Sequence, residues 1–226
     1  MSIGVTELIF ADDDFTVRVL SVSEMDNNVY ILTGRVSGQQ VVIDAAADSE
    51  AIVAAARAAL EEDFLGSGSG AGVIAVLTTH GHWDHVRALP AVLATFRARS
   101  FAGAADLAEI ERLEGVKVDS ALAAGQVLHF VGFSLEVISL RGHTPGSLAF
   151  AVRHAGGVLI FTGDSLFPGG VGKTNSAEDF QSLFADVKSK IFDVFADDTL
   201  ILPGHGRSTS LGSERGSLDE WQQRGW

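Results

Sequence analysis

Apolar residues recur along this chain at two spacings. In some segments they alternate with polar residues or run unbroken for a strand's length; in others they return every third or fourth position. The first pattern predicts strands over residues 15–22, 29–33, 41–43 and 73–78, and again over 135–140, 148–153, 158–162 and 199–202. The second predicts a helix from Ser49, acting as its cap, to about Asp63, with Ile52, Val53, Ala56 and Leu60 on one face. It predicts another over residues 179–195, with Phe180, Leu183, Phe184, Val187 and Ile191 turned inward. Pro90 suits the first turn of a further helix, where a missing N–H and a fixed φ do no harm. Residues 217–226 read as one short terminal helix, and Ala155-Gly156-Gly157 as a hairpin turn. Asp26-Asn27-Asn28 reads as a plain turn before a strand; an amide held near a cleft is the alternative. Strands and helices alternate with hairpins mixed in, which suits mixed sheets covered by helices in layers.

The glycine- and serine-rich stretch at residues 66–72 is too short for a tether and reads as a loop between a helix and a strand. The expectation is therefore a single domain over residues 1–226. Of its 226 residues, 46% are apolar and 20% charged, a globular balance. Lys and Arg total 16 against 29 Asp and Glu, a net charge of −13, which argues against nucleic acid and anionic membrane as partners. There is no cysteine, so neither a disulfide framework nor a thiolate metal site is available. The opening MSIGVTELIF has no basic n-region, and no apolar run approaches a membrane span, so a cytoplasmic protein is expected.

One segment carries most of the chemistry. Thr78-Thr79-His80-Gly81-His82-Trp83-Asp84-His85 puts three histidines and an aspartate directly after a buried strand. In an extended loop His80 and His82 project to the same side and can share one metal, while Asp84 and His85 face a second position. Neutral imidazole and carboxylate suit Zn²⁺, Fe²⁺ or Mn²⁺. Four residues cannot close two metal sites, so further ligands must come from elsewhere. Three later segments fit: Gly142-His143-Thr144-Pro145-Gly146, Gly163-Asp164-Ser165 and Gly204-His205-Gly206, each an apolar strand running into a glycine-flanked His or Asp. Glycine lets several such loops approach one point.

These motifs, in this order, resemble those of the metallo-β-lactamase-fold hydrolases, and within them the glyoxalase II (hydroxyacylglutathione hydrolase)-like branch. The resemblance runs from about Met25 to His205 and includes Val42-Ile43-Asp44. It implies an αββα sandwich of four layers, two mixed sheets flanked by helices. It implies that His80, His82 and His143 bind one divalent ion, that Asp84, His85 and His205 bind a second, and that Asp164 bridges both. The ions would most readily be Zn²⁺, with Fe or Mn possible. Asp84 and Asp164 would be the catalytic carboxylates beside a bridging hydroxide that attacks a small thioester or related acyl ester. Persulfide dioxygenases with one iron, and lactonases, share the fold and remain alternatives at this point.

Several residues are read with two roles. Lys173, on the glycine-rich segment Phe167-Pro168-Gly169-Gly170-Val171-Gly172-Lys173, resembles the lysine that contacts a substrate carboxylate in glyoxalase II, and is otherwise a solvated loop residue. Trp83 is either a wall of the substrate pocket or core filling. Asp44 is expected to hydrogen-bond a ligand loop from behind the metals. His129 and His154 match no motif and are assigned to structure or surface; Arg207 is read as a surface residue. Gly81 stands where glyoxalase II usually has histidine, and with 21 residues after His205 no separate C-terminal substrate domain is expected. The substrate is expected to be a small anionic molecule.

Overall fold

The computed structural model describes residues 6–67 and 70–225. The first half of the chain runs β1 (Glu7–Ala11), β2 (Phe15–Val22), β3 (Asn27–Gly34), β4 (Gln39–Ile43), α1 (Ser49–Asp63), β5 (Gly72–Leu77), α2 (Trp83–Val86), α3 (Leu89–Phe96), β6 (Arg99–Gly103), α4 (Leu107–Glu114) and β7 (Ser120–Leu122). Its strands form one seven-stranded sheet in sequential order, antiparallel from β1 to β4 and parallel from β4 to β7. The second half runs β8 (Val127–Phe130), β9 (Phe133–Ser139), β10 (Leu148–His154), β11 (Gly157–Gly163), a small ribbon of β12 (Leu166–Phe167) and β13 (Gly170–Val171), α5 (Ala177–Val187), β14 (Leu200–Pro203), β15 (Thr209–Ser210), α6 (Leu211–Arg215) and α7 (Leu218–Arg224). The second sheet has the order β15-β14-β11-β10-β9-β8, with a parallel pair at β11 and β14.

Period-two alternation in strands that are apolar on both faces explains the layering. In β3, Tyr30 and Leu32 enter the core between the sheets, while Val29 and Ile31 pack under the helices of the first half. In β10, Leu148, Phe150 and Val152 face the other sheet, and Ala149 and Ala151 face α5 and its neighbours. The alanines on that outer face leave room for Phe180, Phe184 and Trp221 from the covering helices. The result is an αββα sandwich with three apolar layers, matching the fold class expected from the motifs.

Local details differ from the sequence reading. Helix α1 does span Ser49–Asp63, but its cap is Asp48, whose carboxylate accepts from Ala51 N at 3.1 Å. The amphipathic helix expected at 179 begins at Ala177, because the Ser176 hydroxyl accepts from Asp179 N, and it loosens into a π-turn over Lys188–Phe192. The terminal segment forms one short helix, α7, as its pattern predicts, and a further short helix not read from the sequence, α6, precedes it, capped by Ser210 and separated from it at Gly216. Strand β3 begins at Asn27, so Asn27 and Asn28 belong to the strand and are buried rather than forming a plain turn. Gly68 and Ser69 of the glycine-rich loop, the first five residues and Trp226 lie outside the described residues. Among the described residues no helix is long and apolar enough to cross a membrane.

Candidate metal centre

The ends of the central strands of both sheets meet at one edge of the sandwich. Backbone bonds stitch the sheets there: Leu148 N to Thr79 O and Asn28 N to Gly204 O, each 2.8 Å, and Gly206 N to Asp26 O at 3.1 Å. Strand β5 delivers the segment from His80 to His85, β9 leads to His143, β11 to Asp164 and β14 to His205. Gly204 is required at this crossing, because a Cβ there would collide with Asp164 Oδ1 and the His85 ring.

His80 Nε2 stands 3.2 Å from His82 Nδ1, and the His143 ring sits edge-on to both, at centroid distances of 4.7 and 4.5 Å. On the other side His205 Nε2 is 3.1 Å from His85 Nε2 and 3.3 Å from Asp84 Oδ2. Asp164 lies between the two groups: Oδ2 is 3.6 Å from His143 Nε2 and 3.4 Å from His205 Nε2, and Oδ1 is 3.4 Å from His85 Nε2. The seven residues singled out from the sequence thus surround one point, although His143, Asp164 and His205 come from distant parts of the chain.

Hydrogen bonds behind the imidazoles fix which nitrogen faces inward. His143 Nδ1–H donates to Lys173 O at 2.6 Å, and His205 Nδ1–H to Met25 O at 2.8 Å. His85 Nδ1–H donates to Asp44 Oδ2 at 2.9 Å. The Thr79 hydroxyl donates to Asp44 Oδ2 at 2.7 Å, so its oxygen accepts from His80 Nδ1–H at 3.0 Å. Asp44 also accepts from Thr79 N at 2.7 Å, and it holds a left-handed φ of 59°, a conformation that Asp tolerates better than most residues. In all four imidazoles the Nε2 lone pair is left pointing into the site.

That arrangement calls for cations. Two Nε2 lone pairs facing each other at 3.1 Å, as in His85 and His205, need a positive charge between them. His143 Nε2 and Asp164 Oδ1 are buried without a hydrogen-bond partner, which suits atoms directed at a metal. Without a metal the charge is a proton. Burial opposes ionisation of His85, but Asp44 and Asp164 outweigh it and raise the imidazole to about 10. Burial is likewise outweighed at His205, where Asp164 and Asp84 raise the ring to about 10. Burial lowers His80, with the charge on His85 adding to it, and burial lowers His143. The donors, imidazole nitrogen and carboxylate oxygen, fit divalent ions of the Zn, Fe or Mn kind.

The flanking residues resolve several two-way readings. Trp83 is 48% exposed, with the Arg87 guanidinium 4.5 Å from its ring centroid, so it is not core filling. Lys173 is exposed on the segment whose carbonyl orients His143. Arg207 is on the surface; His129 bonds Ser134 within the β8–β9 hairpin, and His154 packs on Phe10, both apart from the cluster. Two buried residues anchor the ligand loops without being put first in that role by the sequence. The Asn27 amide donates to Asp84 O at 3.1 Å and to Asp84 Oδ2 at 3.0 Å, which is the role read above as the lesser alternative. Asp106 accepts from Gly81 N, Thr144 Oγ1 and Gly146 N, joining two ligand loops. Its sequence signal was the one used elsewhere, an apolar strand running through glycine into aspartate, at Phe101-Ala102-Gly103-Ala104-Ala105-Asp106. At the tip of the β12–β13 ribbon, Glu214 accepts from Gly169 N at 2.9 Å and Arg224 donates to Gly169 O at 3.1 Å, so α6 and α7 clamp the loop leading to Lys173.

Two mixed sheets whose strand ends gather five imidazoles and two carboxylates define a metal-dependent enzyme on an αββα scaffold. The sequence profile of the Metallo-beta-lactamase superfamily matches residues 23–205, and the chain belongs to that superfamily. It is 32% identical over 157 residues to the hydroxyacylglutathione hydrolase GloC of Haemophilus influenzae, covering 63% of this chain and 73% of that one. Among solved structures it is similar to the BLEG-1 B3 metallo-beta-lactamase, with a TM-score of 0.71 and 25% identity over 88% of this chain and 96% of the other. It is also similar to a protein solved in a di-iron-bound form, with a TM-score of 0.66 and 26% identity over 87% and 96% of the two chains. The superfamily and these relatives make the chain a hydrolase, and the His and Asp clusters imply divalent metal ions.

Proposed function

We propose that this protein hydrolyses a small anionic thioester at a centre of two divalent ions, with Zn²⁺ as the native metal. His80, His82 and His143 would hold the first ion and Asp84, His85 and His205 the second, with Asp164 reaching both. Bound there, such ions supply Lewis-acid polarisation of the acyl carbonyl and acidify a water toward neutrality. The residues of the chain orient and neutralise. Asn27 fixes the Asp84 carboxylate, Asp44 fixes His85 and, through Thr79, His80, and the Lys173 carbonyl fixes His143.

The observation that carries the choice of thioester is the shortage of a proton donor. Five of the seven histidines belong to the cluster, and the other two lie apart from it. The Tyr30 hydroxyl is committed to Pro203 O at 2.7 Å, and burial pushes its pKa well above the usual phenol range. A leaving group that departs as a stable anion, such as a thiolate, suits a site of this kind. The relative named hydroxyacylglutathione hydrolase points the same way. Lys173 supplies a cation for the substrate's anionic part in a chain of net charge −13. A charge-assisted contact contributes about 1.5–3 kcal/mol.

The test is turnover of a 2-hydroxyacyl-glutathione and of a smaller acyl thioester by protein with two Zn²⁺ per chain, beside the matching oxygen ester. Thioester turnover with kcat spared and KM raised about tenfold or more in Lys173→Ala is expected, since uniform binding appears in KM. Activity seen only as oxygen uptake with a persulfide, on protein holding one iron, would replace this reading with the dioxygenase.

A further inference from the structure

The geometry assigns Asp106 as a positioning residue that presets the His80–His82–His143 triangle and so governs the affinity of the first metal position, leaving the second to other anchors. The inference rests on the metal-binding reading of the site.

Asp106 follows β6 and is 3% exposed. Its Oδ2 accepts from Gly81 N at 2.8 Å and from Thr144 Oγ1 at 2.6 Å, and its Oδ1 accepts from Gly146 N at 2.7 Å. Gly81 lies between His80 and His82, and Thr144 follows His143. One carboxylate therefore ties together the backbones that carry all three histidines of the first position. The Thr144 hydroxyl is itself oriented: Ser147 Oγ accepts from Thr144 N at 3.0 Å and lies 2.7 Å from Thr144 Oγ1. With the Thr144 proton given to Asp106, the Ser147 hydroxyl donates to Thr144.

Close packing around the carboxylate is specific. A Cβ on Gly146 would lie 2.6 Å from Asp106 Cγ, and one on Gly81 would lie 3.0 Å from Asp106 Cβ. A histidine at Gly81, usual in the glyoxalase II pattern, would have to be accommodated against this same carboxylate, so the glycine and Asp106 fit as a pair. The second position is anchored differently. Asp44 stands behind His85, the Met25 carbonyl behind His205, and Asn27 beside Asp84. Asp106 makes no hydrogen bond to any of these three ligands or to Asp164 among the described residues.

All three groups facing Asp106 are donors, so an amide of the same shape is the sharpest substitution: Asp106→Asn turns an N–H₂ group toward a buried N–H or O–H. Removing a partner behind metal-ligating groups typically lowers metal affinity ten- to a hundredfold. The experiment titrates metal-free wild type, Asp106→Asn, Thr144→Val and Thr144→Ser with Co²⁺, read by its visible absorption, and with Zn²⁺ against a chelator of known affinity. His82→Ala identifies which stepwise constant belongs to the first position. Asp106→Asn is expected to weaken that constant ten- to a hundredfold and to leave the other within about twofold. Thr144→Val, which removes one of the three bonds to Asp106 together with the Ser147 contact and covers the case in which Asp106→Asn does not fold, should weaken the same constant less, and Thr144→Ser should restore it. Unchanged constants, or an equal fall in both, would overturn the assignment. Wild type that takes up no Co²⁺ would instead overturn the metal reading on which it stands.

Discussion

Asp164 touches both halves of the metal centre, and it does so with each carboxylate oxygen doing separate work. Oδ1 faces His85 and lacks a hydrogen-bond partner; Oδ2 lies between His143 and His205. Burial alone would favour the neutral acid, yet His205 and His85 hold Asp164 well below the usual carboxylate range. Alanine here removes the one carboxylate that, among the described residues, reaches both groups. Asp164→Ala is expected to drop the metal content of purified protein from two ions per chain to one or fewer, and to abolish turnover. Elemental analysis decides it; two ions per chain in the variant would show that Asp164 does not bridge. At this same scale the sequence was most legible where a residue's own neighbours announced it. His80 to His85 form a cluster by adjacency, and His143, Asp164 and His205 each sit among glycines after an apolar run. Asn27 was read as a turn because nothing in Asp26-Asn27-Asn28 shows that Asp84, 57 residues on, lies against it.

Helix α1 is held to its sheet by more than apolar contact. Its last residue, Asp63, accepts from Arg18 Nε at 2.7 Å, Arg18 Nη2 at 2.8 Å and Thr16 Oγ1 at 2.8 Å, all from β2. Burial pushes the Asp63 carboxyl up, but the Arg18 guanidinium and the Thr16 hydroxyl outweigh it and hold the group below its ordinary value. A depressed carboxylate contributes stability that is fully present above the unfolded pKa of about 3.9, and that is lost as pH falls through the lower folded value. Asp63→Asn leaves the buried Arg18 without that partner and should destabilise by about 3 kcal/mol at pH 7. The gap between variant and wild type should close as the pH is taken below 3.9 toward the folded value. Urea midpoints across the pH range measure it, and a gap independent of pH would assign the effect to packing instead. Element boundaries follow the same logic of local against distant partners. The span of α1 was readable from its apolar stripe, whereas the start of α5 at Ser176 and the π-turn at residues 188–192 depend on caps and on packing against β9 to β11.

For the whole molecule, the centre acts across two sheets. His80, His82, Asp84 and His85 follow β5 of the first sheet, while His143, Asp164 and His205 follow β9, β11 and β14 of the second. A metal held by both sets binds the assembled sandwich and not the separate halves, so binding is coupled to the stability of the fold. Free metal a thousandfold above its dissociation constant adds about 4 kcal/mol per site, which for a chain of this size is roughly 10 °C in Tm. Stripping the protein with a chelator should lower Tm by that order, and returning Zn²⁺ should restore it. A Tm indifferent to the chelator would mean that the sheets dock without help from the metals.

The sequence by itself determined the layers and picked out the candidate ligands. Layering follows from strands that are apolar on both faces, such as Val29-Tyr30-Ile31-Leu32, since each must be covered on one side by the other sheet and on the other by helices. The candidate ligands stand out because His and Asp beside glycine at the ends of such strands are polar groups brought up to a crowded edge. Tertiary structure decided what stands behind the ligands. Whether Asn27 is a turn or an anchor, and that Asp106 joins two ligand loops, depend on neighbours far along the chain. A buried donor must find an acceptor wherever the fold places one, and its periodicity carries no mark of the distance it will span.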